Sequence, residues 1–333
     1  MSSVTWFVGL DYHQAFLQAC VMDRSGTVVL NRRCPNSSQA LGQLLTPFKG
    51  QVAIAIESCC GAADLAEELV RAGQHVTLAH PGYVHKLKQS PDKTDWSDAR
   101  LLADLLRVGY LPRVWLPPQR LRQLRHVVRW RQQLVQARRA AKLRVTALLR
   151  AERVQLATSS WTKSWRAAVR QCEGLGAEGR WVINQLLDEV EHLQRRIAET
   201  EQRLEELTSG DPFVEKLRSL PGIGLVTAVT LRAELGTMER FRSGKQLARF
   251  CGLTPRNASS GLKQSDAGLI RAANTVLRSI VIEAAHRLMR VDPHWSRLGQ
   301  SLKNRGKPGS VATAAVANRW VRWLYHQLKD IAV

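Results

Sequence analysis

Asp95 and Asp98 lie three residues apart in Lys93-Thr94-Asp95-Trp96-Ser97-Asp98-Ala99-Arg100. Apolar residues recur at helical spacing after them, and no Pro or Gly intervenes before Gly109. A helix that opens here sets both carboxylates on one face. Two such groups repel unless positive charge lies between them; the helix N-terminus relieves part of this, and a divalent cation can relieve the rest. Acids that simply favour a first helical turn would give the same pair, so the other acids must decide. Asp11 closes the apolar run Trp6-Phe7-Val8-Gly9-Leu10, and Glu57 closes Val52-Ala53-Ile54-Ala55-Ile56. A polar residue at one strand end is unremarkable. Four carboxylates converging on one edge would form a hard-oxygen site, suited to Mg²⁺ and poor for soft metals.

The elements that must bring them together read in order. Trp6–Leu10 is a buried strand and Phe16–Met22 a second; Asp23-Arg24-Ser25-Gly26 turns the chain into a third, Thr27–Leu30. Ser37 or Ser38 caps a helix that carries Leu41, Leu44 and Leu45. The strand Val52–Ile56, a helix from Ala62 to near Gly73 and the strand His75–Leu78 complete βββαβαβ before the Asp95 helix. This is the ribonuclease-H-like layout, in which adjacent central strands and one covering helix carry acids to a single sheet edge.

Size and charge narrow the partners. A chain of 333 residues can hold more than one core. Its 49 Lys and Arg against 28 Asp and Glu leave a net charge of +21, which points to a polyanion, and nucleic acid ranks before anionic membrane because no basic amphipathic anchor is evident. No apolar run approaches the roughly 20 residues that span a bilayer. The start of the chain lacks the pattern of a signal peptide, and the six cysteines show no CxxC pair, so a reducing, cytoplasmic setting is expected.

The charge is concentrated. Residues 119–153 hold eleven Arg or Lys (120, 122, 125, 129, 131, 138, 139, 142, 144, 150 and 153) against one acid, Glu152. A solvated face is the ordinary reading of a basic run, but one so poor in acids lacks its own counter-charge, and a phosphate backbone would supply it. Arg122, Arg125, Arg129, Arg138, Arg139 and Lys142 are the candidate contacts. Trp130, Trp161, Trp165 and Trp181 either stack on unpaired bases or belong to the core. Ile183, Val190, Ile197 and Leu204 then alternate with Leu186, Leu193, Thr200 and Leu207 as a and d of a heptad pattern, which fits a two-stranded coiled coil or an intramolecular helical hairpin. Ser209-Gly210-Asp211-Pro212 ends it. Leu220-Pro221-Gly222-Ile223-Gly224 is a tight turn between helices, either a plain connection or, through Gly222 and Gly224, a phosphate-binding helix-hairpin-helix. A polar loop follows Phe250, runs through Arg256, Ser259, Ser260, Gly261 and Lys263, and leads to a helix with Arg271 and Arg278 near its start. The last stretch alternates Arg319, Trp320, Arg322, Trp323 and Tyr325, a nucleic-acid face or an ordinary final helix.

Asp11 after its strand, Ile56-Glu57-Ser58, the Lys93–Arg100 motif, Pro221-Gly222-Ile223-Gly224 and Gly252-Leu253-Thr254-Pro255-Arg256 with Ser260-Gly261 occur together in this order. The chain thereby resembles, over nearly its whole length, the DEDD transposases of the IS110 ("one-ten") insertion-sequence family, described as bridge-RNA-guided recombinases. The resemblance implies an α/β plus α architecture: a RuvC-like, ribonuclease-H-like domain (1–118), a helical coiled-coil connector (119–208) and a mainly helical C-terminal transposase domain (209–333). It implies Mg²⁺ at Asp11, Glu57, Asp95 and Asp98. It makes Ser260 the nucleophile that forms a phosphoserine link to DNA, with Ser259 as the competing hydroxyl, in an active site shared between protomers of a dimer or tetramer. Donor and target DNA and a guide RNA would be the partners, in a bacterial cytoplasm and at the nucleoid. One departure stands out: the family's Ser-Lys-x-Gly turn is replaced by Arg271-Ala272-Ala273-Asn274, so the Lys is missing and Arg271 is the candidate for its charge. Two rivals remain, a Mg²⁺-dependent nuclease on branched DNA with water as nucleophile, and a non-catalytic nucleic-acid-binding protein.

Overall fold

The computed structural model describes residues 4–88, 94–155, 160–258, 266–271 and 273–331, and the chain forms two compact units, Met1–Gln119 and Arg120–Val333.

The first unit is built on a sheet of order β3-β2-β1-β4-β5-β6. Strands β1 (Val4–Tyr12), β4 (Gln51–Glu57) and β5 (His75–Ala79) are parallel, while β2 (Phe16–Met22), β3 (Val28–Pro35) and the short β6 (Arg113–Val114) pair antiparallel. The central strands β1 and β4 carry continuous apolar runs, Trp6–Leu10 and Val52–Ile56, because both their faces are covered. Side chains alternate along β1: Val8 and Leu10 join Ile54 and Ile56 beneath α1 (Ser38–Leu45) and α2 (Ala62–Arg71), while Phe7 packs with Leu102, Leu105 and Leu106 of α4 (Asp95–Arg107) on the other face. Ser37 caps α1 by accepting from the Ala40 N–H.

Two elements go beyond the sequence reading. The short helix α3 (Pro81–Leu87) follows β5, and β6 closes the edge with only two residues, too short to leave a periodic signal. Strand β3 also runs past Leu30 to Pro35, since pairing with β2 makes a strand of the polar stretch Asn31-Arg32-Arg33.

The second unit is helical. Helix α5 (Gln119–Ala151) carries the basic segment as one uninterrupted element and α7 (Ala177–Thr208) carries the heptads, with α6 (Lys163–Gln171) between them. Val145 and Leu149 of α5 share a core with Ile183 and Leu187, and Leu134 with Leu193 and Ile197. The heptad seam is thus covered within the chain by a helical hairpin. Leu187 and Thr208 are buried where Leu186 and Leu207 are only half-buried, because the stripe drifts as a straight helix turns past a strict seven-residue repeat. Then follow α8 (Pro212–Arg218), α9 (Leu225–Leu235), α10 (Gly244–Phe250), a hairpin of β7 (Pro255–Asn257) with β8 (Asp266–Leu269), and helices α11 (Thr275–Val291), α12 (Pro293–Asn304) and α13 (Gly309–Leu328). Trp165 and Trp320 are core residues. Tyr325 donates its hydroxyl to the Phe241 carbonyl, so α13 is held by packing on its inner face and shows Arg319 and Arg322 outward.

Helix α4 lies very close to β1 because of Gly9. A Cβ there would sit 2.0 Å from the Ala99 carbonyl oxygen and 2.5 Å from the Ala103 nitrogen, both of them backbone atoms that cannot step aside cheaply. Gly9→Ala is therefore expected to destabilise this unit by about 3 kcal/mol, read as a lower urea midpoint for unfolding.

Candidate functional site

The acids are delivered by this close approach. In the parallel pairing of β1 and β4 Leu10 is opposite Ile56, so Asp11 and Glu57 are the next residues on neighbouring strands. Asp95 and Asp98 project from the first turn of α4. That turn is fixed by a reciprocal cap in which Thr94 Oγ1 accepts from the Ser97 N–H and Ser97 Oγ from the Thr94 N–H. Asn31 adds a bond from its side-chain amide to the Trp96 carbonyl.

His13, which the sequence reading passed over, stands between two of the acids. Its Nε2 lies 3.2 Å from Asp11 Oδ2 and 3.3 Å from Asp95 Oδ1. Arg33 donates to Asp95 Oδ2 at 2.8 Å, and the Lys88 ammonium pairs with Asp98 Oδ1. Arg33 also lies over the Phe16 ring, which stacks on His13, so the two bases are braced against each other. The only trace of His13 in the sequence is its spacing, two residues beyond Asp11 at the end of a strand.

Electrostatics show how close the carboxylates are. Burial pushes the Asp11 carboxyl above the ordinary range, His13 pulls it back, and repulsion from Asp95 and Asp98 adds to the rise. Asp11 therefore feels both α4 acids. The Cys59 thiol is raised chiefly by burial; the Ala62 N–H opposes this, and the charges of Glu57, Cys60 and Asp11 add to it.

The donor set fits a divalent cation. One ligand atom each from Asp11, His13 and Asp95 lies within 4.8 Å of the others. Carboxylate oxygens suit a hard ion, and an imidazole nitrogen extends the range towards Mn²⁺ and its neighbours. The sequence reading anticipated oxygen ligands alone, and the nearby imidazole is a finding of the structure. Lys93 lies outside the described residues.

In the second unit the basic residues divide. Arg125 is half-buried: its Nε donates to the Ala233 carbonyl at 2.7 Å, and burial lowers its pKa. Arg129 is 53% exposed but reaches Glu234 Oε1 at 3.4 Å. Arg138 donates to Gln194, and Arg131 pairs with Glu201. The Lys142 ammonium sits 4.6 Å over Trp161 with its pKa lowered by burial, then by Arg138 and Arg166. Arg139 is exposed and Arg122 half-buried. Of the tryptophans, Trp181 is the most open at 63% exposure, while Trp130 lies beneath the Arg196 guanidinium.

The turn between α8 and α9 has the expected form. Gly222 takes φ +73, a left-handed value that favours glycine, and Gly224 caps α9. A Cβ on Gly222 would meet Val291 at 3.1 Å and Arg287 Cβ at 3.6 Å, and one on Gly224 would lie 4.0 Å from a guanidinium nitrogen of Arg287, so a cation stands beside the turn. Arg256 and Arg271 are exposed at the two ends of the β7–β8 hairpin. Ser259, Ser260 and Lys263 fall outside the described residues.

Comparison with known proteins agrees with this architecture. Residues 8–152 match a family model for DEDD transposases of the IS110 type, and residues 214–300 match the model described as "Transposase IS116/IS110/IS902 family". A probable family 20 transposase of Pseudomonas aeruginosa is 30% identical over 332 residues, covering 96% of this chain and 95% of the relative. The transposase of insertion sequence IS1111A from Coxiella burnetii is 25% identical over 85% of this chain and 78% of its own length. The IS1328 transposase of Yersinia enterocolitica is 24% identical over 97% and 96%.

A cation that binds only the folded cluster must stabilise the fold. At about ten times its dissociation constant, Mn²⁺ or Mg²⁺ is expected to add roughly 1.4 kcal/mol, visible as a higher melting temperature in the presence of the metal. Asp11→Asn should lose that increment while keeping the metal-free melting transition cooperative.

Proposed function

The chain belongs to the IS110 family of DEDD transposases, and on that premise we propose that it cuts and rejoins donor and target DNA through a covalent serine intermediate, guided by an RNA of its own element. The observation that carries this reading is the junction of Asp11, His13 and Asp95 at the edge of a ribonuclease-H-like sheet, with Asp98 and Glu57 close by.

In this reading Asp11, Glu57, Asp95 and Asp98 would hold Mg²⁺. The ion would polarise a phosphate oxygen and offset charge that develops on the attacking and leaving oxygens. Ser260 Oγ forms a bond to phosphorus as one backbone P–O bond breaks, and the serine proton ends on the departing strand oxygen. A serine hydroxyl is a weak nucleophile, which is why it needs a charged site to act in. The phosphoserine conserves the phosphodiester bond energy, so a second strand hydroxyl can displace the serine and reseal without ATP. A dimer or tetramer would join the hydroxyl of one protomer to the acids of another. The functional division is a RuvC-like domain (1–118), a connector (119–208) and a serine-bearing domain (209–333).

Positive charge guides the substrates. Arg138, Arg139, Lys142, the Gly222–Gly224 turn with Arg287, and Arg256 and Arg271 near the hairpin are the contacts proposed for DNA and RNA phosphates, with Lys263 added from the sequence alone. No helix among the described residues is long and apolar enough to cross a membrane, and work on chromosomal DNA would place the protein in the bacterial cytoplasm at the nucleoid.

The test is incubation with labelled element-end DNA, Mg²⁺ and RNA transcribed from the flanking non-coding DNA, followed by a denaturing gel. The wild-type chain should give a protein–DNA adduct, and Ser260→Ala should abolish it while Asp95→Ala and Glu57→Ala abolish cleavage. Cleavage that persists in Ser260→Ala without an adduct would establish a nuclease that uses water. Full activity in the two acid variants would leave only a binding protein.

A further inference from the structure

Glu234 in the last turn of α9 is 3% exposed, and its carboxylate is shared by separate parts of the chain. Asn274 Nδ2 donates to its Oε2 at 2.8 Å, Arg129 reaches Oε1 at 3.4 Å, and Arg125 Nε lies 3.9 Å from Oε2. Arg240 closes the same corner by donating to the Leu235 carbonyl, and burial, followed by the charge of Arg125, brings its pKa down to about 10 despite the attraction of Glu234. A carboxylate in such a place is costly unless fully paired, and an apolar pair would fill the corner with less desolvation. What the paired acid contributes is direction.

Asn274 is the link to the β7–β8 hairpin. Its Oδ1 accepts from the Leu277 N–H at 3.1 Å and so starts α11, while its own N–H donates to the Phe250 carbonyl at the end of α10. Just ahead, the Ile270 N–H donates to the Thr254 carbonyl at 3.0 Å, and Arg278 donates to the Ile270 carbonyl. Gly252, at φ +70, packs so tightly here that a Cβ would stand 2.5 Å from Ala273 Cβ. Both ends of the hairpin are therefore tied at one base, and Glu234 anchors that base through a single side-chain bond.

We infer that Glu234 and Asn274 form a clamp that sets the direction in which the β7–β8 hairpin projects, which makes them positioning residues for the transfer step assigned to Ser260. The inference rests on that assignment for its role in the reaction and on the hairpin geometry alone for the clamp itself.

Two substitutions test it. Asn274→Asp keeps an oxygen for the Leu277 N–H but sets carboxylate against carboxylate. Glu234→Gln on that background supplies an amide donor and re-forms the bond with donor and acceptor exchanged. Amide hydrogen exchange at Ile270 and the yield of DNA adduct are measured together, with DNA affinity and melting temperature as controls. Asn274→Asp should exchange about tenfold faster and give about tenfold less adduct, with both returned to within about threefold in the double variant, and DNA affinity should hold throughout. Wild-type exchange and adduct in Asn274→Asp would overturn the clamp, as would a folded double variant that restores neither. If Asn274→Asp does not fold, Asn274→Ser, which keeps a capping oxygen and adds no charge, is read in the same way. A wild-type chain that forms no adduct refutes the serine reading, and exchange at Ile270 then still decides the clamp.

Discussion

Carboxylates crowded at one edge repel, and the first unit is arranged to hold them there regardless. The approach of α4 to β1 over Gly9 brings Asp95 and Asp98 down to the level of Asp11. The reciprocal cap at Thr94 and Ser97 then fixes the turn from which both project. Three nitrogen-bearing side chains from separate parts of the chain, His13, Arg33 and Lys88, occupy the acids. A site of this kind departs from what stability alone would favour, since burial and like charge both act against Asp11. Such a local conflict marks function.

Much of this was readable from residue order. The apolar runs that end in Asp11 and Glu57 are visible because a strand covered on both faces has no polar alternation to obscure it, and the Asp95 helix shows its period plainly. His13 and Lys88 were not readable. Each acquires its partner through the fold, and neither sits in a periodic segment that would have marked it. β6 was missed because two residues carry no pattern, and the end of β3 because its strand character comes from its neighbour β2.

The second unit shows the limits of reading charge from composition. The basic segment is one helix as its period implied, but its arginines do not act alike. Arg125 turns inward to the end of α9, Arg129 reaches Glu234 while staying half-exposed, Arg131 meets Glu201 on the facing helix, and Arg139 remains outward. Sequence spacing gives the face of a helix, and only the fold says which side of it another helix covers. The heptads behave in the same way: a repeat that would suit a partner chain is met here by α5 and α6 of the same chain.

The central claim, that the edge formed by β1, β4 and α4 is a divalent-metal site, is tested most directly by anomalous diffraction from crystals grown with Mn²⁺. The account predicts a single strong peak or a close pair ligated by Asp11 and Asp95, with His13 or Asp98 alongside. A map with no peak there at saturating Mn²⁺, with His13 still bridging Asp11 and Asp95, would contradict it.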